Sequence, residues 1–187
     1  MTTYIVLIRA IGPETHAVMS MPALSARCVE AGLEDTNVCG ATGNLVVRAK
    51  LQETTVQRRV QSVIASFGLD KPVFVWRRER LLSVLAANPM PEAAIARPSQ
   101  LIVMTFGAAR DLIGREALSS QTDTERFAWV GDDLVVDYVH GVARPKLPPQ
   151  RIEARLKTKG TFRNWNTLTK LAALATASLP RQSVRPD

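Results

Sequence analysis

Near the start of the chain, residues 4–13 read YIVLIRAIGP. This stretch is the first element in the order of strands and helices that decides the fold. Its first eight residues are mostly aliphatic or β-branched, and Gly12-Pro13 then breaks the run, which is typical of a buried strand. Residues 21–33 follow with apolar positions near helical spacing and include Gly32, a common helix stop. The chain therefore starts with a strand followed by a helix.

The next segments complete a familiar order of elements. Two short strands are predicted at 36–40 and 45–51, on either side of the turn Ala41-Thr42-Gly43-Asn44, where glycine and asparagine readily take positive φ. A helix over 54–67 and a strand over 72–77 follow. The order strand, helix, strand, strand, helix, strand is the split βαβ, ferredoxin-like pattern. We therefore predict an α+β fold in which these four strands form one antiparallel sheet with both helices on one face.

The rest of the chain predicts a second, smaller α+β subdomain after a linker. Residues 91–99 combine prolines with small residues, which is typical of a linker. Beyond it we predict a strand, a helix, a hairpin around Gly131-Asp132-Asp133 and two further helices, the last over 164–178. The predicted organisation is a ferredoxin-like subdomain at 1–90, the linker at 91–99, a second subdomain at 100–180 that ends in a helix, and a flexible tail at 181–187.

Cysteine and histidine usage argues against a metal centre. The only cysteines are Cys28 and Cys39, neither of which stands in a CxxC pair, and only two histidines accompany them. No glycine-rich phosphate loop and no nucleophile-elbow motif occur. The sequence therefore predicts neither a metal nor a cofactor, and it leaves open whether the protein is an enzyme.

Hydropathy gives an expectation about location. No apolar run approaches the ~20 residues that a membrane-spanning helix needs. The N-terminus has no basic region before an apolar stretch, as a secretory signal would require. We therefore expect a cytoplasmic protein without a membrane partner.

The formal net charge of +7 is concentrated at one end of the chain. Up to His140 there are 14 Lys and Arg against 15 Asp and Glu, whereas from Gly141 onward there are 10 against 2. Concentrated positive charge attracts phosphates and nucleic acids. The alternative is a solvated basic face that only keeps the protein soluble.

Residues 160–171, which read GTFRNWNTLTKL, place polar side chains around Trp165 where an apolar-periodic segment begins. In one interpretation, Asn164 or Thr161 caps a helix whose apolar stripe starts at Trp165 and is buried. In the other, the same helix N-terminus and the fork of the Arg163 guanidinium bind an anion. The two interpretations are compatible.

A second candidate segment is 140–146, where three potential cations follow the end of a predicted strand. Such a loop can hold a phosphate, although a single histidine at a strand end is more often structural. We expect Arg144, Lys146, Arg163 and Lys170 to line one positive surface, and Arg163→Ala to weaken anion binding with little change in stability. The full candidate set for an anion site is His140, Arg144, Lys146, Arg163, Asn164, Asn166 and Lys170.

The chain resembles the bacterial family called domain of unknown function 1697 over about residues 4–176. The resemblance is carried by the opening strand with its Arg9, Thr42-Gly43-Asn44, Asn88-Pro89 and, most specifically, the C-terminal motif Thr161, Arg163 to Thr167 and Lys170-Leu171. The chain departs from the family after Arg9, where members have a glycine and this sequence has Ala10. The resemblance implies two small α+β subdomains, the first ferredoxin-like, and implies no reaction.

Together these features predict a protein that binds an anionic ligand, a nucleic acid or a nucleotide, through its basic last quarter. The alternative is an enzyme with its site between the subdomains, where His140, Arg163 and the Asn residues would act on a phosphorylated or carboxylated substrate. Salt dependence separates the two, because binding through several phosphates weakens steeply with salt.

Overall fold

The computed structural model describes residues 1–107, 112–119, 125–143 and 145–177. It is an α+β protein with two four-stranded antiparallel sheets, which confirms the predicted fold class. The predicted tail at 181–187 lies outside the described residues. Among the described helices, none is both long and apolar enough to cross a membrane.

We refer to residues 1–99 as the first half and to residues 100–177 as the second half. The elements of the first half are β1 (Thr2–Ile8), α1 (Pro13–Val18), α2 (Met21–Glu30), β2 (Glu34–Val38), β3 (Asn44–Ala49), α3 (Glu53–Ser66), β4 (Val73–Arg77), α4 (Arg78–Ala87) and α5 (Pro91–Ala96). Those of the second half are β5 (Leu101–Phe106), α6 (Leu112–Ser119), β6 (Arg126–Val130), β7 (Asp133–Asp137), α7 (Pro149–Arg155), β8 (Gly160–Asn164) and α8 (Trp165–Ala177).

The first sheet has the strand order β2-β3-β1-β4 with antiparallel neighbours, as the ferredoxin-like prediction requires. The helices α2 and α3 cover the same face, because the buried positions of both pack with Val6 and Ile8 in one cluster. Strand β1 ends earlier than predicted, and Ala10 just beyond it has a positive φ of 55°. The β2–β3 turn takes its positive φ at Gly43, whereas Asn44 already belongs to β3.

The second sheet repeats the order of the first, as β6-β7-β5-β8. The sequence does not predict its edge strand β8, because residues 160–164 have the composition of a helix cap. They instead pair with β5, where Arg163 stands opposite Val103. The polar residues of β8 face the first half, with Thr161 buried, so the strand lacks the alternation of apolar side chains that normally identifies one. Helix α8 begins directly after it, at Trp165.

The segment expected as a linker is partly helical. Residues 91–96 form α5, with Pro91 at the start, where proline is tolerated because its missing N–H would be unpaired anyway. Met90 and Ala93 are buried against the rest of the protein. The prolines therefore start a helix here rather than mark an open connection, and the division of the chain at these residues stays a prediction.

The inner faces of the two sheets share one core with α4, α5 and α8. Ile5 and Leu7 reach it from the first sheet, and Val103 and Val135 reach it from the second. Trp165 is 8% exposed and belongs to the same core, as do the later apolar positions of its helix. The predicted burial of this stripe is confirmed, and it fixes β8 beside the end of β1.

Candidate functional site

A cleft of about 700 Å³ lies between the two halves and is lined by residues from both. Arg9 and Thr42 reach it from the first half, and Thr161, Arg163 and Asn164 reach it from the second. These five residues come from three separate motifs of the sequence. The shared core brings the end of β1, the β2–β3 turn and the β8–α8 junction together, so the fold assembles the motifs at one place.

Arg163 joins the two halves through all three nitrogen atoms of its guanidinium. It donates to oxygen atoms that lie at the end of β1, in the β2–β3 turn and within its own strand. The acceptors are Asn44 Oδ1, Thr161 Oγ1 at 3.0 Å, and the carbonyls of Ile8 at 2.8 Å, Thr42 at 3.2 Å and Phe162 at 2.7 Å. A sixth acceptor, the Gly43 carbonyl at 3.4 Å, also faces Nη2, so all five N–H donors of the arginine are engaged and the side chain is held in one position.

All six acceptors of Arg163 among the described residues are neutral. No carboxylate of the described residues pairs with it, and burial lowers the pKa of its guanidinium to about 10. The group therefore stays charged at neutral pH without a counter-ion, in a setting where its hydration is reduced. The result is a fixed positive potential at one end of the cleft.

Arg9 is the other cation among the described residues that line the cleft, and its charge is balanced by a carboxylate. Its guanidinium donates to both carboxylate oxygens of Glu153 on α7, with a distance of 3.1 Å to Oε2, and also to the carbonyl of Gly160. Burial tends to raise the pKa of Glu153, but hydrogen bonds from Arg9 and the Gly160 N–H, with the charges of Arg9 and Lys159, bring it below its usual value. Arg9 and Glu153 therefore form an ionised pair that closes one side of the cleft.

Asn164 caps α8, as one of the two sequence interpretations requires. Its Oδ1 accepts from the backbone N–H of Thr167 at 2.9 Å and from the Thr167 hydroxyl at 2.8 Å. Both residues line the cleft, so the N-terminus of α8, where the helix dipole is positive, faces it. The cap and the positive potential of Arg163 therefore act at the same place.

The walls of the cleft are largely apolar. Ile11, Ile102, Val142 and Phe162 line it together with three prolines, and Val142 and Phe162 are exposed. Tyr138 also lines it, and its hydroxyl donates to the Leu147 carbonyl at 3.2 Å. Burial, with a smaller effect of the Glu125 charge, raises the pKa of Tyr138 well above its usual value. Its phenol therefore stays protonated throughout the physiological range.

Four of the other candidate residues do not join Arg163 and Asn164 at the cleft. Arg144 lies outside the described residues. His140, Lys146, Asn166 and Lys170 are exposed and do not line the cleft, and Lys170 lies close enough to Cys39 for its charge to act on that thiol. The single positive surface expected from the sequence stays a prediction. Among the described residues, no group of three or more metal-ligating side chains is suitably placed.

Sequence reasoning did not select Arg9 and Thr42 as site residues, although both stand in motifs that carried the family resemblance. The signal was present in those motifs, but only the folded chain shows that they meet Arg163. Thr161 was considered only as a cap. Its hydroxyl instead accepts a hydrogen bond from Arg163 on the floor of the cleft.

Comparison with known proteins places the chain in a family. It belongs to the family described as protein of unknown function (DUF1697), whose model matches residues 1–134. The C-terminal motif at 161–171 lies beyond the matched residues, so its assignment to the family stays a prediction. A solved structure of a conserved bacterial protein from Streptococcus pneumoniae has a TM-score of 0.71 and 16% sequence identity, and covers 94% of this chain and 99% of that one. This likeness concerns the fold alone. No curated protein matches the sequence.

Proposed function

We propose that this member of a family of unknown function binds a small anionic molecule, such as a nucleotide or another phosphate- or carboxylate-bearing compound, in the cleft between its halves. A cytoplasmic setting is part of the proposal. The observation that carries it is the charged Arg163, which lines the cleft and has no carboxylate partner among the described residues. An anion bound nearby would offset the cost of burying that charge.

The donors for such an anion would come from groups other than Arg163, because its own N–H groups already have acceptors. The side-chain amide of Asn164 and the hydroxyls of Thr42 and Ser99 line the cleft and can donate. Arg163 would then contribute through its electrostatic potential. The volume of the cleft falls within the range of about 300–1,000 Å³ that is common for small-molecule sites. Its apolar walls favour a ligand with an apolar body and one charged end.

Binding is supported better than catalysis by the same residues. Among the described residues at the cleft, the candidates for a general acid or base are Tyr138 and Glu153. Burial raises the pKa of Tyr138, so its phenol stays protonated, whereas Glu153 is ionised and paired with Arg9. Neither group has a pKa near neutrality, where a general acid or base is most effective. An enzyme acting on a phosphorylated or carboxylated substrate at this interface is therefore the second choice.

A nucleic acid is a separate candidate partner, favoured by the charge around α7. Five exposed cations lie on this helix or beside it, while its one acid, Glu153, is buried. They are Lys146, Arg151, Arg155, Lys157 and Lys159. A polyanion on this face would lose affinity steeply with salt, because each neutralised phosphate releases counter-ions. A single anion in the cleft would lose much less.

Asn44→Asp tests the cleft directly. The new carboxylate would lie against the Arg163 Nε and supply the missing counter-ion, so anion binding should weaken about tenfold or more, equivalent to 1.4 kcal/mol. Ligands would first be found by a thermal-shift screen of nucleotides, sugar phosphates and carboxylates at low salt, and affinities would then be measured by calorimetry.

The matched control is Asn37→Asp, which makes the same chemical change at an exposed position of β2. It should leave the affinity within about twofold of the parent, because solvent screens an exposed charge. If the parent and Asn44→Asp bound the anion with equal affinity, Arg163 would not be the source of the attraction. Failure of every anion to bind at low salt would remove the proposal itself.

A further inference from the structure

A second concave surface lies between α2 and α3, on the outer side of the first sheet. This helical groove has a volume of about 650 Å³ and shares no lining residue with the cleft. It exists because the positions that face each other across the two helices near the surface are small, namely Ala31, Ser62 and Ser66. Val63 lies beneath them and is 7% exposed. The groove is therefore independent of the function proposed above.

The helical groove carries an excess of positive charge. Arg27, Arg58 and Arg59 line it together with one acid, Glu30. Arg27 and Glu30 are 3.8 Å apart, and their side chains are 59% and 67% exposed, so this pair contributes little and leaves both groups largely solvated. Three guanidinium groups are thus available within one groove.

Arg59 is fixed in place by the C-terminal end of α2. Its Nη1 donates to the Ala31 carbonyl at 2.6 Å, where the negative end of the helix dipole also favours a cation. A Cβ at position 32 would lie 2.7 Å from this nitrogen, and Gly32 has a φ of 77°, so glycine is needed there for both reasons. A side chain that is already ordered loses less entropy when it binds a ligand.

The remaining donors of the helical groove have few partners. The other nitrogen atoms of Arg59 and the hydroxyl of Ser62 have no hydrogen-bond partner among the described residues. Arg58 Nη2 lies 3.4 Å from the hydroxyl of Thr55, on the same face of α3. This differs from Arg163, whose donors are all engaged. Planar guanidinium forks with neighbouring hydroxyls match the oxygen atoms of a phosphate.

We propose that the helical groove binds a phosphate group of a phosphorylated molecule, with Arg58 and Arg59 as its direct ligands. The same chemistry serves a free phosphate ester and the phosphodiester chain of a nucleic acid. The two sources differ in how many phosphates are engaged at once, and therefore in salt dependence.

The full chain would be titrated with pyrophosphate at low salt while the backbone amides of α2 and α3 are followed by NMR. Shifts are expected at residues 58–66 and near Gly32, and Arg58→Gln should weaken binding about tenfold, the loss expected for one charge-assisted hydrogen bond. Arg59→Gln also removes a contact to α2, so Ser62→Asp is the second variant. It places a negative charge in the groove, leaves Arg59 in place, and should weaken binding at least as much.

Lys50→Gln, which removes an exposed cation outside both the helical groove and the cleft, is the control, and its α2 and α3 amides should respond to pyrophosphate as those of the parent do. A mononucleotide and a short single-stranded oligonucleotide then identify the source, since only the oligonucleotide should show a salt slope of several charges. Absence of shifts in the groove, or equal binding by the parent and Ser62→Asp, would overturn the proposal. Binding in the groove that is lost in Ser62→Asp supports it, whichever phosphate compound binds more tightly.

Discussion

The two hairpins of the molecule hold the same place in their sheets, and each is held by an arginine from the other half. Asn44 opens β3 and accepts from Arg163 of the second half, whereas Asp133 opens β7 and accepts from Arg80 of the first half. The Arg80–Asp133 contact is a bidentate ion pair, with distances of 3.0 and 2.7 Å. The Arg163–Asn44 contact pairs a charge with a neutral amide.

The surroundings of the two arginines differ in the same sense. Arg80 also donates to Thr105 at 3.2 Å, and its guanidinium lies 4.9 Å from the centre of the Trp76 ring, while Trp76 Nε1 donates to the same hydroxyl at 3.0 Å. That contact is neutralised and packed. Arg163 instead lies on the cleft. We infer that the Arg80–Asp133 contact serves stability alone. Under the proposed function, the Arg163–Asn44 contact stabilises the fold less but leaves the charge of Arg163 available to an anion.

The largest difference in stability should be seen at the starts of α8 and α4, the helices that follow the equivalent edge strands β8 and β4. Trp165 starts α8 in the shared core, so Trp165→Ala should lower the free energy of unfolding by about 3–5 kcal/mol through loss of apolar burial and creation of a cavity. Arg78 starts α4 directly after β4, and Arg78→Ala should cost under about 1 kcal/mol, as for most partly exposed positions. Urea unfolding of both variants measures this. Similar losses would show that the two junctions are equivalent.

The arginine contacts themselves can be compared with one change. Arg80→Gln removes the bidentate ion pair to the buried Asp133 carboxylate and should cost about 3 kcal/mol, the lower end for a broken buried pair because the Arg80 side chain is 36% exposed. Arg163→Gln should cost less, about 1–2 kcal/mol, because it leaves neutral acceptors and also removes a desolvated charge. This differs from the small effect expected from the sequence. A larger loss for Arg163→Gln in chemical denaturation would contradict the distinction drawn here.

The Arg9–Glu153 ion pair, at the same cleft as Arg163, should make the stability of the folded protein depend on pH. The pKa of Glu153 is lower in the folded protein than the usual 4.5, so its stabilisation is present above that value and is lost as pH falls below it. Glu153→Gln should therefore cost about 2 kcal/mol at neutral pH. The gap between parent and variant should close as the pH falls below the usual pKa. Melting curves from neutral to acidic pH measure it, and a gap that does not depend on pH would show that the pair acts only by shape.

The smallest effect should come from the backbone next to Arg9. Ala10 has a φ of 55°, a region that disfavours any residue with a Cβ. Ala10→Gly should raise stability by about 0.5 kcal/mol, since relief of strain exceeds the added entropy of the unfolded chain. Gly43→Ala is the opposite change at a positive φ of 73°, where a Cβ would lie 2.5 Å from Ile11. That variant should be destabilised, and a gain in stability there would refute the argument.

The first half could be read from the sequence because its signals are local. Strand β1 is a continuous apolar run, and the stripes of α2 and α3 repeat at helical spacing. In the second half, strand β8 was not predicted. Its polar residues are explained by contacts with residues more than a hundred positions away, such as the contact of Arg163 with Asn44. No window of sequence contains both partners of such a contact, so periodicity cannot reveal it.

The same limit applies to the candidate site. Arg163 and Asn164 could be found because they stand in one recognisable motif beside a predicted helix start. From the sequence, Arg163 was expected to donate hydrogen bonds directly to an anion. The structure shows that its N–H groups already have acceptors, so its effect on an anion would be electrostatic. The groove between α2 and α3 was not anticipated, because Arg27 and Arg59 are distant in sequence and each looks like an ordinary surface residue.

The core shared by the two sheets limits how the chain can be shortened or recombined. Ile5 and Leu7 pack in this core with residues of the second half, and Val103 and Val135 pack in it with residues of the first half. A fragment carrying either sheet alone would expose an apolar face and would be expected to self-associate. Because the two sheets repeat one strand order, such a fragment could pair with a second copy of itself, face to face. The repeated strand order and the shared core are what would be expected if one small self-associating domain had been duplicated within a single chain.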